Sequence, residues 1–130
     1  MKLLLPFHAH KVGAGFPSPA TDYVEDDIDL NVHLIKNIPS TFLIRVQGKS
    51  MNSIGIHDDD LLIVDRSLDP KNFSTVIANV NEELVVKNFI KAENQSFLTS
   101  GSKKLKDKIN LTENPEIVIW GVETYVVHAL

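Results

Sequence analysis

Two side chains in this sequence have the types and the surroundings that nucleophilic chemistry requires, and the first is Ser50. It follows a predicted strand directly and closes the tripeptide Gly48-Lys49-Ser50. A serine at a strand-to-turn junction exposes its hydroxyl, while nearby backbone N–H groups converge on an incoming oxygen. This signal is weak by itself, since most Gly-x-Ser tripeptides are ordinary turns. A phosphate-binding loop is excluded, because Leu43 stands where that motif requires its first glycine.

The second side chain is Lys87, which shares one face of a predicted strand with Val85 and Phe89. Desolvation between apolar neighbours disfavours the ammonium form of a lysine. A neutral lysine accepts a proton from a serine and returns it to a leaving amine. The alternative is an exposed lysine on an edge strand, a common device against aggregation. A serine on a neighbouring element favours the interpretation of Lys87 as a general base over that of an exposed edge lysine.

Other candidate sites are weaker. Ser50, His57 and one aspartate of Asp58–Asp60 would form a conventional triad. These acids are sequential neighbours in a turn, however, so we expect them to cap it or to face solvent. His8 and His10 have no third ligand placed to complete a zinc site. We therefore predict neither a metal nor a cofactor.

The elements that must position these residues are predicted to be mainly β-strands. The predicted strands are rich in β-branched and aromatic residues and cover Thr41–Gln47, Leu61–Asp65, Thr75–Val80, Leu84–Ile90 and Glu116–His128. Gly121 predicts a bulge or a bend in the last of them. No long amphipathic helix alternates with the strands, which argues against a doubly wound parallel sheet. The pattern predicts a mostly β domain of twisted, largely antiparallel, partly barrel-like sheets.

The N-terminal segment differs from this body. Residues 8–22 contain small residues and X-Pro steps without apolar periodicity. We therefore predict a flexible tail over residues 1–27, followed by a β domain over residues 28–130. Asp29 is placed to cap a short helix containing Leu30 and Leu34, although the same segment also alternates like a strand. The lysine-rich Ser102–Lys108 is expected to be a solvated loop, with binding to an acidic partner or a DNA phosphate as the alternative.

Composition limits the protein class. A chain of 130 residues with 43% hydrophobic and 23% charged residues is typical of one globular domain. The absence of cysteine excludes disulfides, thiolate zinc sites and a cysteine nucleophile. A net charge of −4 argues against strong direct DNA binding. The N-terminal apolar run is too short for a signal peptide, and no run is long enough for a membrane span, so we expect a cytoplasmic protein.

Several ordered motifs together resemble the LexA/UmuD-type self-cleaving serine–lysine peptidases. The likeness runs from about Gly13 to the C-terminus. The motifs that carry it are GFPSPATDYVEDDIDLN (Gly15–Asn31), GKSM (Gly48–Met51), GIHDDDLLIVD (Gly55–Asp65), LVVKNF (Leu84–Phe89) and WGVETYVVHAL (Trp120–Leu130). The resemblance implies a small LexA-like peptidase domain.

The same resemblance implies roles for individual residues. Ser50 would be the catalytic nucleophile and Lys87 the general base, with the backbone N–H groups of Ser50 and Lys49 as the oxyanion hole. The scissile bond would be Ala14–Gly15. The family usually has aspartate or methionine at the position of Lys49 and glycine at that of Asp59, so these two residues depart from its pattern.

The function implied is that of an SOS mutagenesis protein that cleaves its own tail. A RecA filament on single-stranded DNA would stimulate cleavage. The shortened homodimer would then join a Y-family DNA polymerase for translesion synthesis. Two alternatives stay open at this point: a non-catalytic polymerase accessory module with a vestigial dyad, and a signal-peptidase-like enzyme acting on other proteins.

Overall fold

β-Strands are the dominant secondary structure of the described residues, as the β-branched and aromatic runs predict. The computed structural model describes residues 4–8, 24–101 and 108–130, which fall in two compact units, Met1–Lys36 and Asn37–Leu130. The strands are β1 (Leu4–His8), β2 (Val24–Asp29), β3 (Thr41–Arg45), β4 (Leu61–Asp65), β5 (Thr75–Val80), β6 (Glu83–Lys91), β7 (Ser96–Thr99), β8 (Ile109–Asn110) and β9 (Val118–Val127). The helix is α1 (Leu30–Leu34), and short 3₁₀ turns cover Ile38–Ser40 and Asn52–Ile54.

The N-terminal unit contains β1, β2 and α1. Strands β1 and β2 pair in antiparallel fashion, with Leu5 opposite Ile28. Helix α1 begins directly after β2, and the Asp29 side chain accepts a 3.0 Å hydrogen bond from the Asn31 backbone N–H. The predicted capped helix is therefore confirmed. Both strands overlap the predicted tail, whose boundary after residue 27 stays a prediction. Residues 9–23, with Ala14 and Gly15, lie outside the described residues.

The C-terminal unit is one antiparallel sheet in the order β3-β4-β9-β5-β6-β7-β8. In the described part of the chain this sheet is open, with β3 and β8 as its edges. The mostly β, antiparallel architecture is confirmed, and β4 and β5 occupy the very residues predicted for them. Strands β7 and β8 were not predicted, because four and two residues are too few to show a period of two.

Both faces of the sheet bury apolar side chains. Successive residues of β5 alternate between two clusters, because strand side chains point to opposite faces in turn. Cluster one consists of Val46, Met51, Ile56, Leu62, Val64 and Ile77. Cluster two consists of Val76, Ala78, Phe89, Leu98 and Val122. The loop between β3 and β4 supplies Val46, Met51 and Ile56, and is thereby packed onto the sheet.

The predicted bulge at Gly121 is confirmed. The β5–β9 register shifts between Ile77, opposite Gly121, and Ala78, opposite Ile119, so Trp120 is the extra residue. A Cβ atom on Gly121 would lie 2.6 Å from Cγ1 of Val64, closer than real Cβ contacts. Glycine is therefore required here by the close approach of β4.

Candidate active site

Ser50 lies in the loop that connects β3 to β4. Gly48 and Gly55 have φ angles of 103° and 85°, the left-handed region that glycine adopts without strain. Between them, Met51 is only 2% exposed and packs in cluster one. The Ser50 side chain next to it is exposed. Burial of Met51 thus fixes the loop to the sheet, while the adjacent hydroxyl stays accessible.

Two neighbouring aspartates hold the ends of this loop together. The Asp58 carboxylate accepts a 2.7 Å hydrogen bond from the backbone N–H of Gly48. Asp59 has a φ of 70°, and its N–H donates to the carbonyl of Val46 at 2.8 Å. Its own carbonyl accepts from the Arg45 guanidinium at 3.0 Å. These bonds stabilise a left-handed aspartate at the position where the family usually has glycine.

The third aspartate, Asp60, is buried at the start of β4 and binds two partners. One oxygen accepts the His57 backbone N–H at 2.8 Å, and the other lies 2.5 Å from Nδ1 of His128. The bond from His57, followed by that from His128, holds the pKa of Asp60 below its usual range. None of the described hydrogen bonds joins the His57 ring to an aspartate or to Ser50. The structure therefore does not join these residues as a hydrogen-bonded triad.

Lys87 is half-buried on β6, which lies between β5 and β7. Its strand neighbours Val85 and Phe89 belong with cluster two, so the predicted apolar face is confirmed. Lys87 pairs with Val76 of β5, and the ladder with β7 begins at the next residue, Asn88. The alternative of an exposed lysine on an edge strand is not supported, because the Lys87 side chain is half-buried and its amine is hydrogen-bonded. Nζ of Lys87 donates a 2.8 Å hydrogen bond to Oγ of Ser100, a residue that is 5% exposed. Sequence reasoning missed Ser100, because its partner strand β7 was too short to predict.

One cleft of about 320 Å³ brings the two sequence-predicted side chains together. Its walls are residues 44–48 and 50–51 on one side and residues 84–87 on the other, with Ile77 between them. Ser50 and Lys87 both line it. The lining combines apolar side chains with the polar Arg45, Gln47, Ser50 and Lys87, a mixture suited to binding a peptide.

The backbone around Ser50 also leaves donors available. Among the hydrogen bonds of residues 24–101 and 108–130, none uses the N–H of Lys49 or of Ser50. The carbonyl of Lys49 accepts from Asn52 at 3.2 Å, which begins the 3₁₀ turn. Unpaired N–H groups beside a nucleophile are what an oxyanion hole requires. Chemically, the cleft can support attack by a serine with a lysine as proton acceptor.

Two further features concern the described residues only. No group of three or more histidine, aspartate or glutamate side chains among them is arranged to hold a metal ion. No helix in the described ranges has the length and apolar character needed to cross a membrane.

The similarity of this chain to known proteins covers the whole candidate site. Residues 6–123 match the family described as Peptidase S24-like. Protein ImpA of Salmonella typhimurium is 40% identical over 123 residues, which cover 95% of this chain and 83% of that protein. Protein MucA of Escherichia coli is 34% identical over 121 residues, covering 93% and 82% respectively. The LexA repressor of Psychromonas ingrahamii is 43% identical over 96 residues, 67% of this chain and 45% of the repressor. The family match includes both walls of the cleft.

Proposed function

We infer that this chain cleaves its own N-terminal segment. The premise is that it belongs to the peptidase S24-like family of self-cleaving serine peptidases, and within it to the UmuD-type SOS mutagenesis proteins. The proposed scissile bond is Ala14–Gly15. The observation that carries the proposal is the cleft whose lining includes both Ser50 and Lys87. Small residues at the scissile bond suit this site, because they can lie beside Ser50 without steric conflict.

In the proposed reaction, the neutral amine of Lys87 takes the proton of the Ser50 hydroxyl as Oγ attacks the carbonyl carbon of Ala14. The negative charge that develops on the carbonyl oxygen is stabilised by the backbone N–H groups of Ser50 and Lys49. The Lys87 ammonium then donates its proton to the amine of Gly15, which leaves as a new N-terminus. Water activated by Lys87 hydrolyses the acyl-enzyme and regenerates Ser50.

Membership of the family supports a proposed biological role. We propose that cleavage converts the chain into residues 15–130, which act as a homodimeric subunit of a Y-family translesion DNA polymerase. A RecA filament on single-stranded DNA is the proposed stimulator, acting by favouring the docked segment without contributing catalytic groups. Support comes from the family and from the extent of the similarity to ImpA and MucA.

The experiment is incubation of the full chain at pH 6 to 10, and at neutral pH with RecA, ATP and single-stranded DNA. We expect slow unassisted cleavage that accelerates with rising pH, because a general base acts in its unprotonated form. Intact mass and N-terminal sequencing should give a product that begins Gly15-Phe16-Pro17. A single full-length species under every condition would favour a vestigial dyad instead.

A matched pair of variants tests the cleavage site. Ala14→Phe should block cleavage, because the larger side chain cannot lie beside Ser50. Ala20→Phe makes the same change farther along the segment and should leave cleavage in place. A cut mapped to another bond would reject the assignment of Ala14–Gly15.

A further inference from the structure

The amine of Lys87 contacts Ser100, a residue outside the proposed dyad. Nζ of Lys87 lies 2.8 Å from Oγ of Ser100, and Ser100 is only 5% exposed. In the antiparallel β6–β7 register, Asn88 is opposite Thr99. Lys87 precedes Asn88 and Ser100 follows Thr99, so these two residues lie side by side. The contact is therefore built into the sheet.

A lysine general base needs such a partner. Its side chain has four rotatable bonds, and holding it in one rotamer costs conformational entropy. To act on Ser50, the amine must also direct its single lone pair toward the serine hydroxyl. An acceptor that takes one N–H restricts the rotation of the amine and reduces the number of directions in which that lone pair can point.

Ser100 is also fixed relative to the other wall of the cleft. The next residue, Gly101, has a φ of 128°, and a Cβ atom on it would lie 2.5 Å from Oγ of Ser53. Ser53 belongs to the 3₁₀ turn Asn52–Ile54, which directly follows the Ser50 segment. The Ser100-Gly101 pair thus contacts Lys87 on one side and the Ser50 turn on the other.

We propose that Ser100 is a positioning residue for Lys87, whose hydroxyl holds the lysine amine in the cleft for proton transfer from Ser50. The inference rests on the proposed self-cleavage and adds a third side chain to its machinery. Ser100 touches no reacting atom and acts only through Lys87.

The test is unassisted alkaline cleavage of full-length variants. Ser100→Ala should slow cleavage roughly tenfold, about what the loss of one hydrogen bond to a reacting group produces. Ser100→Thr keeps the hydroxyl and should recover most of the rate. Thr99→Val is the matched control, because it removes the neighbouring buried hydroxyl, which bonds the Gly101 carbonyl at 3.1 Å and does not touch Lys87. It should cleave at nearly the wild-type rate.

A measurement independent of cleavage separates this inference from the proposed function. In ¹⁵N-lysine-labelled protein at mildly acidic pH, we expect a Lys87 ammonium resonance that is protected from exchange, assigned by its loss in Lys87→Ala. Ser100→Ala should broaden it, whereas Thr99→Val should not. If the wild type is never cleaved, the proposed function fails, and this spectrum still decides whether Ser100 holds Lys87.

Three results would overturn the inference. The first is cleavage of Ser100→Ala at or above the wild-type rate. The second is an equal loss of rate in Thr99→Val, since that would mean a general structural effect at the end of β7. The third is an unchanged Lys87 resonance in Ser100→Ala. Thermal unfolding of each variant shows that a lost signal is not simply a lost fold.

Discussion

The two walls of the cleft are built in different ways. Lys87 projects from the regular strand β6, where it pairs with Val76 of β5, and its place follows from the alternation of β6. Ser50 projects from an irregular loop with two glycines at positive φ, held by bonds from side chains about ten residues farther along the chain. The strand wall depends on the hydrogen bonds and packing of the whole sheet. The loop wall depends on a few individual side chains, so single substitutions there should have distinct and separable effects.

This difference has a consequence for robustness. Strand β6 has nine residues, of which six pair with β5 and four with β7, so one surface substitution changes its position little. A loop fixed by three aspartates loses an anchor with each substitution. We therefore expect the reactivity of Ser50 to be more sensitive to changes outside the dyad than the location of Lys87.

Loss of either reacting group should have the largest effect on the cleavage rate. Ser50→Ala and Lys87→Ala should each reduce unassisted cleavage by on the order of 10²–10⁴-fold or more, the usual contribution of positioned acid–base catalysis. Both side chains are at least partly exposed to the cleft, so the fold should survive. Intact mass spectrometry over time measures the rate, and circular dichroism checks the fold.

His57→Ala is the control for that comparison. The bond from residue 57 to Asp60 comes from the backbone N–H, which alanine retains. Cleavage should therefore stay near the wild-type rate. A loss comparable to that of Lys87→Ala would restore the triad, while a wild-type rate in Lys87→Ala would remove the lysine from the mechanism.

An intermediate effect is expected from the buried anchor of the loop. Asp60→Asn should lower the midpoint of denaturant unfolding at pH 7, because it removes the charge that accepts from His57 and faces His128. The pKa of Asp60 is lowered in the folded state. Its stabilisation is therefore present above the unfolded value of about 3.9 and is lost as pH falls through the lower folded value.

The pH series provides the check. Wild type and Asp60→Asn should differ at pH 7 and converge as the pH falls below about 4, within the range where both remain folded. Asp69→Asn is the matched control, because Asp69 is exposed and forms none of the described hydrogen bonds. An equal change in unfolding midpoint for both variants would mean that the Asp60 contacts are not stabilising.

The smallest effect is expected at the exposed anchor. Asp58→Ala removes the acceptor of the Gly48 N–H and should cost about 1 kcal/mol of stability or less. Cleavage should slow several-fold, because the backbone beside Ser50 becomes less restricted. Asp58→Asn keeps an acceptor oxygen and should recover much of the rate. Equal cleavage by all three proteins would show that the loop needs no anchor at this point.

The sequence contained most of the sheet and the identity of the two candidate side chains. Strand β5 could be predicted to the residue, because alternation and break residues are local signals. The cap at Asp29 is equally local, since donor and acceptor are two residues apart. The pairing of β6 with β7 could not be predicted from the sequence. Strand β7 has only four residues, too few to show an alternating pattern, and it is defined by its hydrogen bonds to the neighbouring strand. Ser100 was missed for that reason.

What the sequence determined by itself is the apolar face of Lys87, the turn at Ser50 and the family motifs that connect them. Tertiary structure alone decided which polar groups meet. It paired Asp60 with His128 at the far end of the chain and Asp58 with Gly48, so both carboxylates have partners other than the His57 ring. It also brought Ser100 to Lys87. The physical reason is that hydrogen bonds between distant residues depend on strand order and register, and these are set by the packing of the whole sheet.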